Sequence, residues 1–250
     1  MPQPSLAGLR VLLTRPEGEG ASEWAAAFAA VGAVPVPYPT VAIVPPASWE
    51  PVDDALARLG DYDWVIFTSQ TSVAFVVGRL PGERFPSGMR TRIAAVGPAT
   101  ARAVEASGGA VALLPADSRQ EGLAEAFPLL TARTRVLFPI AAAGRTMLAE
   151  SLRARRCVVD VVTVYRTAAC DDLPPPPPFD VATFASPSAL RAYLARAGRA
   201  SLRGKVVAVI GPTTANAAAV SGIRPVVADA PGVDGLILAI ASSRTSQGDP

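Results

Sequence analysis

Histidine is absent from this 250-residue sequence, and lysine occurs once, at Lys205, among 23 basic residues. The missing imidazole excludes histidine general acid–base work, Ser-His-Asp and Cys-His nucleophile pairs, and every histidine-ligated metal site. Schiff-base chemistry is left with one lysine, and nothing near it in sequence supports that role. Cys157 and Cys170 can build neither a four-cysteine metal site nor a disulfide framework. Charged residues make up 18% of the chain and the formal charge is only +2, too little to read as a nucleic-acid footprint. The opening stretch MPQPSLAGLRVLLTRPEG lacks the apolar core and cleavage pattern of an export signal. The uncharged run from Trp24 to Trp49 is broken by Gly32, Pro35, Pro37, Pro39, Pro45 and Pro46, so it cannot span a membrane as one helix. These absences predict a cytoplasmic protein with reduced thiols, no metal, no nucleic-acid partner and no membrane partner.

What is present is an alternation of short apolar runs with Ala-rich stretches. VLLT (11–14), WVIFTS (64–69), RIAAVG (92–97), RVLFP (135–139), CVVDVVTVY (157–165), VATFAS (181–186) and VVAVIG (206–211) read as strands that are apolar on both faces. Helices are expected between them, among them 22–32 with Ser22 as N-cap and Gly32 as stop, 71–79, 99–107, 120–130 and 145–155. Strands buried on both faces and joined by helices imply an α/β fold with parallel sheets.

The chain also repeats itself. AAVGPATARAVEASGG (94–109) resembles VAVIGPTTANAAAVSG (207–222), Phe67-Thr68-Ser69 matches Phe184-Ala185-Ser186, and VLLTRPEG (11–18) resembles VLFPIAAAG (136–144). Two similar open α/β units follow. The simplest cut between them lies near Ala132. The proline-rich stretches 35–46 and 164–180 sit at matching places in the two repeats and favour another division, because such segments suit crossings between domains. It gives one discontinuous domain, 1–37 with 168–250, and an inserted domain over 41–165.

Standard nucleotide motifs fail: after Gly18 and Gly20, Glu23 occupies the third glycine position of a dinucleotide fingerprint. What remains is a row of small hydroxyl residues and glycines at strand ends: Thr14-Arg15, Thr68-Ser69, Gly97-Pro98-Ala99-Thr100, Ser186-Pro187-Ser188 and Gly211-Pro212-Thr213-Thr214. In a parallel sheet these positions fall at the carboxyl edge, where helix N-termini present free N–H groups that accept anions. Any single Ser or Thr there is more often a plain helix cap; the duplicated set is the more suggestive observation.

These same segments, TRPEGEG (14–20), FTSQTSV (67–73), AAVGPATARAV (94–104), VVTVYRT (161–167), FASPSAL (184–190) and GKVVAVIGPTTANAA (204–218), resemble the uroporphyrinogen-III synthase family in their order along the chain. The resemblance implies two flavodoxin- or Rossmann-like open parallel-sheet domains joined by a two-stranded connector. It implies a cofactor-free, monomeric lyase of tetrapyrrole biosynthesis whose substrate, hydroxymethylbilane, carries eight carboxylates and is held between the domains. A transient contact with hydroxymethylbilane synthase, which releases that substrate, is part of the same expectation. Thr68, Ser69, Gly97, Thr100, Ser186, Thr213 and Thr214 match the family's substrate-lining motifs. Arg15 and Arg145 are candidate carboxylate partners, and Tyr165 matches the tyrosine of the VYRT-like motif, a candidate proton donor. Where the family places a small residue or glycine before the strand that ends in this motif, the chain carries Arg155-Arg156-Cys157. The rival reading, a two-domain ligand-binding or effector-sensing module without catalysis, shares the same architecture.

Overall fold

The computed structural model describes residues 5–128, 133–230 and 232–245. The chain runs β1 (Arg10–Leu13), α1 (Glu19–Ala30), β2 (Val34–Pro37), β3 (Val41–Val44), α2 (Glu50–Ala57), β4 (Trp64–Phe67), α3 (Gln70–Val77), β5 (Arg92–Ala95), α4 (Pro98–Ala106) and β6 (Val111–Leu113). It continues through α5 (Gln120–Ala126), β7 (Arg135–Ala141), α6 (Met147–Ala154), β8 (Val158–Ala169), β9 (Val181–Phe184), α7 (Pro187–Ala197), β10 (Val206–Val209), α8 (Pro212–Val220), β11 (Val226–Val227) and α9 (Val233–Thr245). Two compact units result, one formed by residues 1–43 and 167–250, the other by residues 44–166. The position near Ala132 considered above lies outside the described residues, as does the end of the helix expected over 120–130.

The first unit holds a five-stranded sheet in the order β11-β10-β9-β1-β2, each neighbouring pair parallel. The second is built on the sheet ordered β3-β8-β7-β4-β5-β6, parallel from β8 to β6, with the division between the units falling within β3 and near the end of β8. Both faces of each sheet are buried, and strand alternation divides the core accordingly. Val65 and Phe67 of β4 pack in one cluster with Leu137, whereas Trp64 and Ile66 pack in another with Val136 and Phe138. In the first unit Leu12 and Phe184 face one side, and Val11, Leu13 and Val181 the other.

Three local departures from the sequence reading have physical causes. Helix α1 begins three residues before the expected Ser22 cap, because Gly18 takes φ +123 and turns the chain directly into Glu19. Ser22 then lies inside the helix, its hydroxyl donating to the Gly18 carbonyl at 3.5 Å. The proline-rich 35–46 stretch holds β2, where the sequence AVPVPY (33–38) already reads as extended, and also β3, which the reading as a crossing leaves out. Prolines are tolerated in β2 because it is an edge strand: the Val34 N–H bonds to the Leu9 carbonyl just before β1 and the Tyr38 N–H just after β2 to the Leu13 carbonyl, while Pro35 and Pro37 fall at the alternate positions facing away. The expected linker over 164–180 likewise begins as strand, since β8 runs to Ala169.

At the end of α6, Arg155 lends its guanidinium to the carbonyls of Ala124, Phe127 and Pro128, closing the C-terminal end of α5. Arg156 follows at φ +65, its N–H bonded to the Arg153 carbonyl at 2.8 Å. This is the left-handed position after a helix that glycine normally fills, and a side chain there costs about 1–2 kcal/mol. Arg156→Gly should therefore raise the unfolding free energy, by up to about 1 kcal/mol after the extra backbone entropy of glycine is subtracted. Urea denaturation followed by circular dichroism would measure it, and a destabilised variant would count against this account of the turn.

Candidate active site

The strand order reverses between β1 and β9 in the first unit and between β4 and β7 in the second, and ligands of open α/β sheets bind at the carboxyl ends of strands flanking such reversals. In the first unit the reversal is stitched by hydroxyls. Thr14 is fully buried and donates to the Thr183 carbonyl at 2.7 Å, while Thr183 donates to the Leu12 carbonyl at 2.9 Å. Thr14, one of the strand-end hydroxyls singled out in the sequence, is thus committed to holding adjacent strands together.

Arg15 leaves β1 at this point and is half-buried. Its guanidinium lies 4.4 Å over the ring of Trp24, and its buried Nε has no hydrogen-bond partner. Burial pushes its pKa down, with Glu23 acting in the opposite sense. Gly20 makes room for this side chain, since a Cβ there would come within 2.9 Å of Arg15 Nη2. Arg15, Gly18, Ala21, Ser22 and Pro37 help to line a cavity of about 250 Å³ at the start of α1. Gly18 caps that helix with no side-chain hydrogen bond, so its first amides stay open beside the arginine. Glu17 lines the same cavity, yet the half-buried Arg15 makes no salt bridge with it or with Glu23, and a guanidinium with free donors next to uncapped amides is chemistry that can receive a carboxylate.

The glycine-headed helices follow the same pattern. Gly97 precedes α4 and Gly211 precedes α8, each without a side-chain cap and each with proline at the first helical position. Thr213 is exposed, whereas Thr100 and Thr214 are turned inward at 5% and 2% exposure. What these two residues offer a ligand is main-chain N–H, with their hydroxyls packed away. Ser69 and Ser186 do cap helices: Ser69 Oγ accepts from the Ser72 N–H at 3.0 Å and Ser186 Oγ from the Ala189 N–H at 3.2 Å.

In the second unit Tyr165 stands on β8 beside the carboxyl end of β7, its carbonyl accepting the Ala142 N–H at 2.9 Å. Its hydroxyl lies 3.3 Å from Ser69 Oγ. Its ring stacks on Phe75 at 5.7 Å, and Phe75 stacks in turn on Trp49 at 6.2 Å. The structure therefore brings Tyr165 to Ser69, beside the half-exposed Thr68. Arg145 sits on the loop after β7, held to Glu121 at 2.8 Å, and the pairing lowers the Glu121 pKa. Sequence reasoning missed Phe75 and Trp49 as supports of Tyr165; no residue spacing signals an aromatic stack built from three separate elements. Among the described residues no cluster of His, Cys, Asp and Glu could hold a metal ion, and no helix is long and apolar enough to cross a membrane.

The sequence model of the family described as uroporphyrinogen-III synthase HemD matches residues 22–238. The chain belongs to the uroporphyrinogen-III synthase family. It is 35% identical over 176 residues to the uroporphyrinogen-III synthase of Synechococcus elongatus, a match covering 70% of this chain and 66% of that protein. It is 32% identical over 181 residues to the chloroplastic uroporphyrinogen-III synthase of Oryza sativa, covering 68% of this chain and 59% of that one. The chain thus spans just under two thirds of the first relative and less of the second. Its fold is similar to crystal structures of the Helicobacter pylori uroporphyrinogen-III synthetase (TM-score 0.64, 19% identity, 95% of this chain and 99% of that one). A mutant uroporphyrinogen III synthase from Thermus thermophilus is similar as well (TM-score 0.58, 19% identity, 97% and 100%). At such identity these structures speak for the α/β architecture with parallel sheets.

Ser69 combines a cap with a contact to Tyr165, so its loss should register in stability. Ser69→Ala should cost about 1 kcal/mol, the usual value of a serine N-cap, measured by chemical denaturation. Ser69→Asp, which keeps a capping oxygen, should recover most of it; equal losses in both variants would show that the cap is not what Ser69 contributes.

Proposed function

We propose that this chain is a uroporphyrinogen-III synthase: a lyase that cyclises hydroxymethylbilane, with loss of water and inversion of ring D, to uroporphyrinogen III. The observation that carries the reading is membership of the family over residues 22–238. The two carboxyl edges are chemically suited to it, each offering uncapped amides, with the unpaired Arg15 on one and Tyr165 on the other.

The reaction begins when the terminal hydroxymethyl group loses its hydroxide, which takes up a proton and departs as water, leaving an electrophilic azafulvene. The exocyclic carbon then bonds to the substituted position of the last pyrrole, forming a spiro intermediate. Fragmentation of that intermediate and closure at the other position leave ring D inverted, with loss of the proton displaced at the new bond. Without guidance the same azafulvene closes directly to the symmetric isomer. The protein's task is therefore to hold one geometry against another, which is catalysis by positioning. Arg15 and the open amides of α1, α4 and α8 bind substrate carboxylates equally in ground and transition states. Tyr165 supplies the proton to the departing hydroxide, with its ring fixed by Phe75. The protein acts on this one small molecule as a monomer and draws it from hydroxymethylbilane synthase.

The decisive measurement is the isomer formed from hydroxymethylbilane: type III product is expected, and type I product alone at the unassisted rate would refute the reading. Tyr165→Phe keeps the ring stacking and removes only the hydroxyl, so kcat should fall, about tenfold for each 1.4 kcal/mol of lost transition-state stabilisation, with stability unchanged. Arg15→Ala should raise KM more than it lowers kcat, as expected for uniform binding, and more strongly at low salt. If both kinetic parameters stayed at wild-type values, Arg15 would have no part in binding.

A further inference from the structure

The amino edge of the first unit's sheet, opposite the strand ends described above, carries a second concave surface. A cavity of about 330 Å³ is lined by Arg199, Arg203, Lys205 and Arg224 over an apolar floor of Leu202, Val207 and Ile223. An adjoining cavity of about 270 Å³ shares Lys205, Val207 and Arg224. No acidic residue lines either one. Four positive groups thus converge in a chain whose formal charge is only +2, and the only lysine is among them.

Only Arg10, Arg79, Arg119 and Arg145 are paired with carboxylates among the described residues, so what sets the cavity apart is that four cations share one concave lining that includes no acidic residue. Among the described residues, none of the four cavity cations forms a salt bridge with a carboxylate. Lys205 Nζ lies 5.7 Å from the ring centre of Phe179, and the nearby Asp180, whose pKa Lys205 helps to lower, is already engaged by Arg10 at 3.1 Å. Arg199 Nη1 makes a long contact of 3.5 Å to the Ser221 carbonyl, over a residue 222 whose lack of a Cβ leaves room for it. Like charges held together in a lining with no carboxylate of its own, the nearby Asp180 being taken up by Arg10, raise the local potential and favour a multiply charged anion. Guanidinium groups meet phosphate and carboxylate in the same two-pronged geometry, and the cavity falls at the small end of the usual range for ligand pockets, about 300–1,000 Å³.

We propose that Arg199, Arg203, Lys205 and Arg224 form a binding site for a compact polyvalent oxyanion, separate from the carboxyl-edge site and independent of the reading given to it. Phosphate and carboxylate share the required chemistry, so inorganic pyrophosphate and citrate are the two probes. Titration calorimetry of the whole chain at low salt should give about one equivalent bound for at least one of them, and the preferred probe identifies the source chemistry. The Arg203→Ala/Arg224→Ala double variant, altered only at exposed side chains, should weaken binding by at least about tenfold. Arg15→Ala should leave it intact, and raising the salt should weaken it for the wild type. Absence of binding for both probes would overturn the proposal. So would undiminished affinity in the double variant, or binding abolished by Arg15→Ala alone, which would place the anion at the carboxyl edge.

Discussion

A parallel strand has to pass its chain to a helix at the sheet's carboxyl edge, and this handover is the constraint on which the rest of the molecule depends. Both faces of each sheet are buried, so the central strands are largely apolar and polar groups able to meet a ligand gather near their ends. At those ends the helices begin with unpaired N–H groups. Here Ser69 and Ser186 cap their own helices, whereas Gly18, Gly97 and Gly211 leave theirs open. Recognition of anions can then be built largely from main chain, with a few arginines beside it. The reaction proposed above, governed by shape, would ask for little beyond that equipment and for no histidine.

The two units repeat one scaffold in permuted order. Read outward from the reversal, β9-β10-β11 corresponds to β4-β5-β6 and β1-β2 to β7-β8. The first unit receives its β1-β2 pair before the intervening unit is made and the rest afterwards, which is why it is discontinuous in sequence. Ser69 and Ser186 perform the same cap, and Gly97 and Gly211 open the same helix. The chemistry is not duplicated with the scaffold. Setting Val11 against Val136 places Arg15 opposite Ile140, which is buried core. One edge therefore carries an unpaired guanidinium, while the other carries the phenol of Tyr165 beside Ser69.

Arginine, which supplies nearly all of the positive charge, is sorted by its neighbours into different tasks. Arg155 stands in for a C-cap by binding three carbonyls of the α5 end, and Arg153 binds the Val159 carbonyl at 2.7 Å. Arg145 is neutralised locally by Glu121, so a ligand carboxylate has to compete for it, whereas Arg15 is held by an aromatic face and leaves its donors free. The two candidates looked alike as residues in a sequence. A salt bridge across 24 positions and a cation–π contact separate them, and neither is a property of local sequence.

The sequence by itself determined the α/β class, the position of nearly every strand and the internal repeat. A strand buried on both faces must be a continuous apolar run, and such runs are visible without knowing what covers them. Its glycines also marked the open helix starts at Gly97 and Gly211, because a residue type with no side chain cannot cap. Tertiary structure decided the rest. The sequence reads 33–38 as extended, but that Pro35 and Pro37 can sit in a sheet depends on β2 being at an edge, and that Thr100 and Thr214 turn inward depends on helix phase against the sheet. Tyr165 owes its setting to Ser69, Phe75 and Trp49, which lie on other elements. The four cations of the amino edge are spread over 26 residues of sequence from Arg199 to Arg224, and only the parallel crossover through α8 brings them to one cavity. Side-chain direction and proximity are set by packing partners distant along the chain, so they appear only once the sheets have formed.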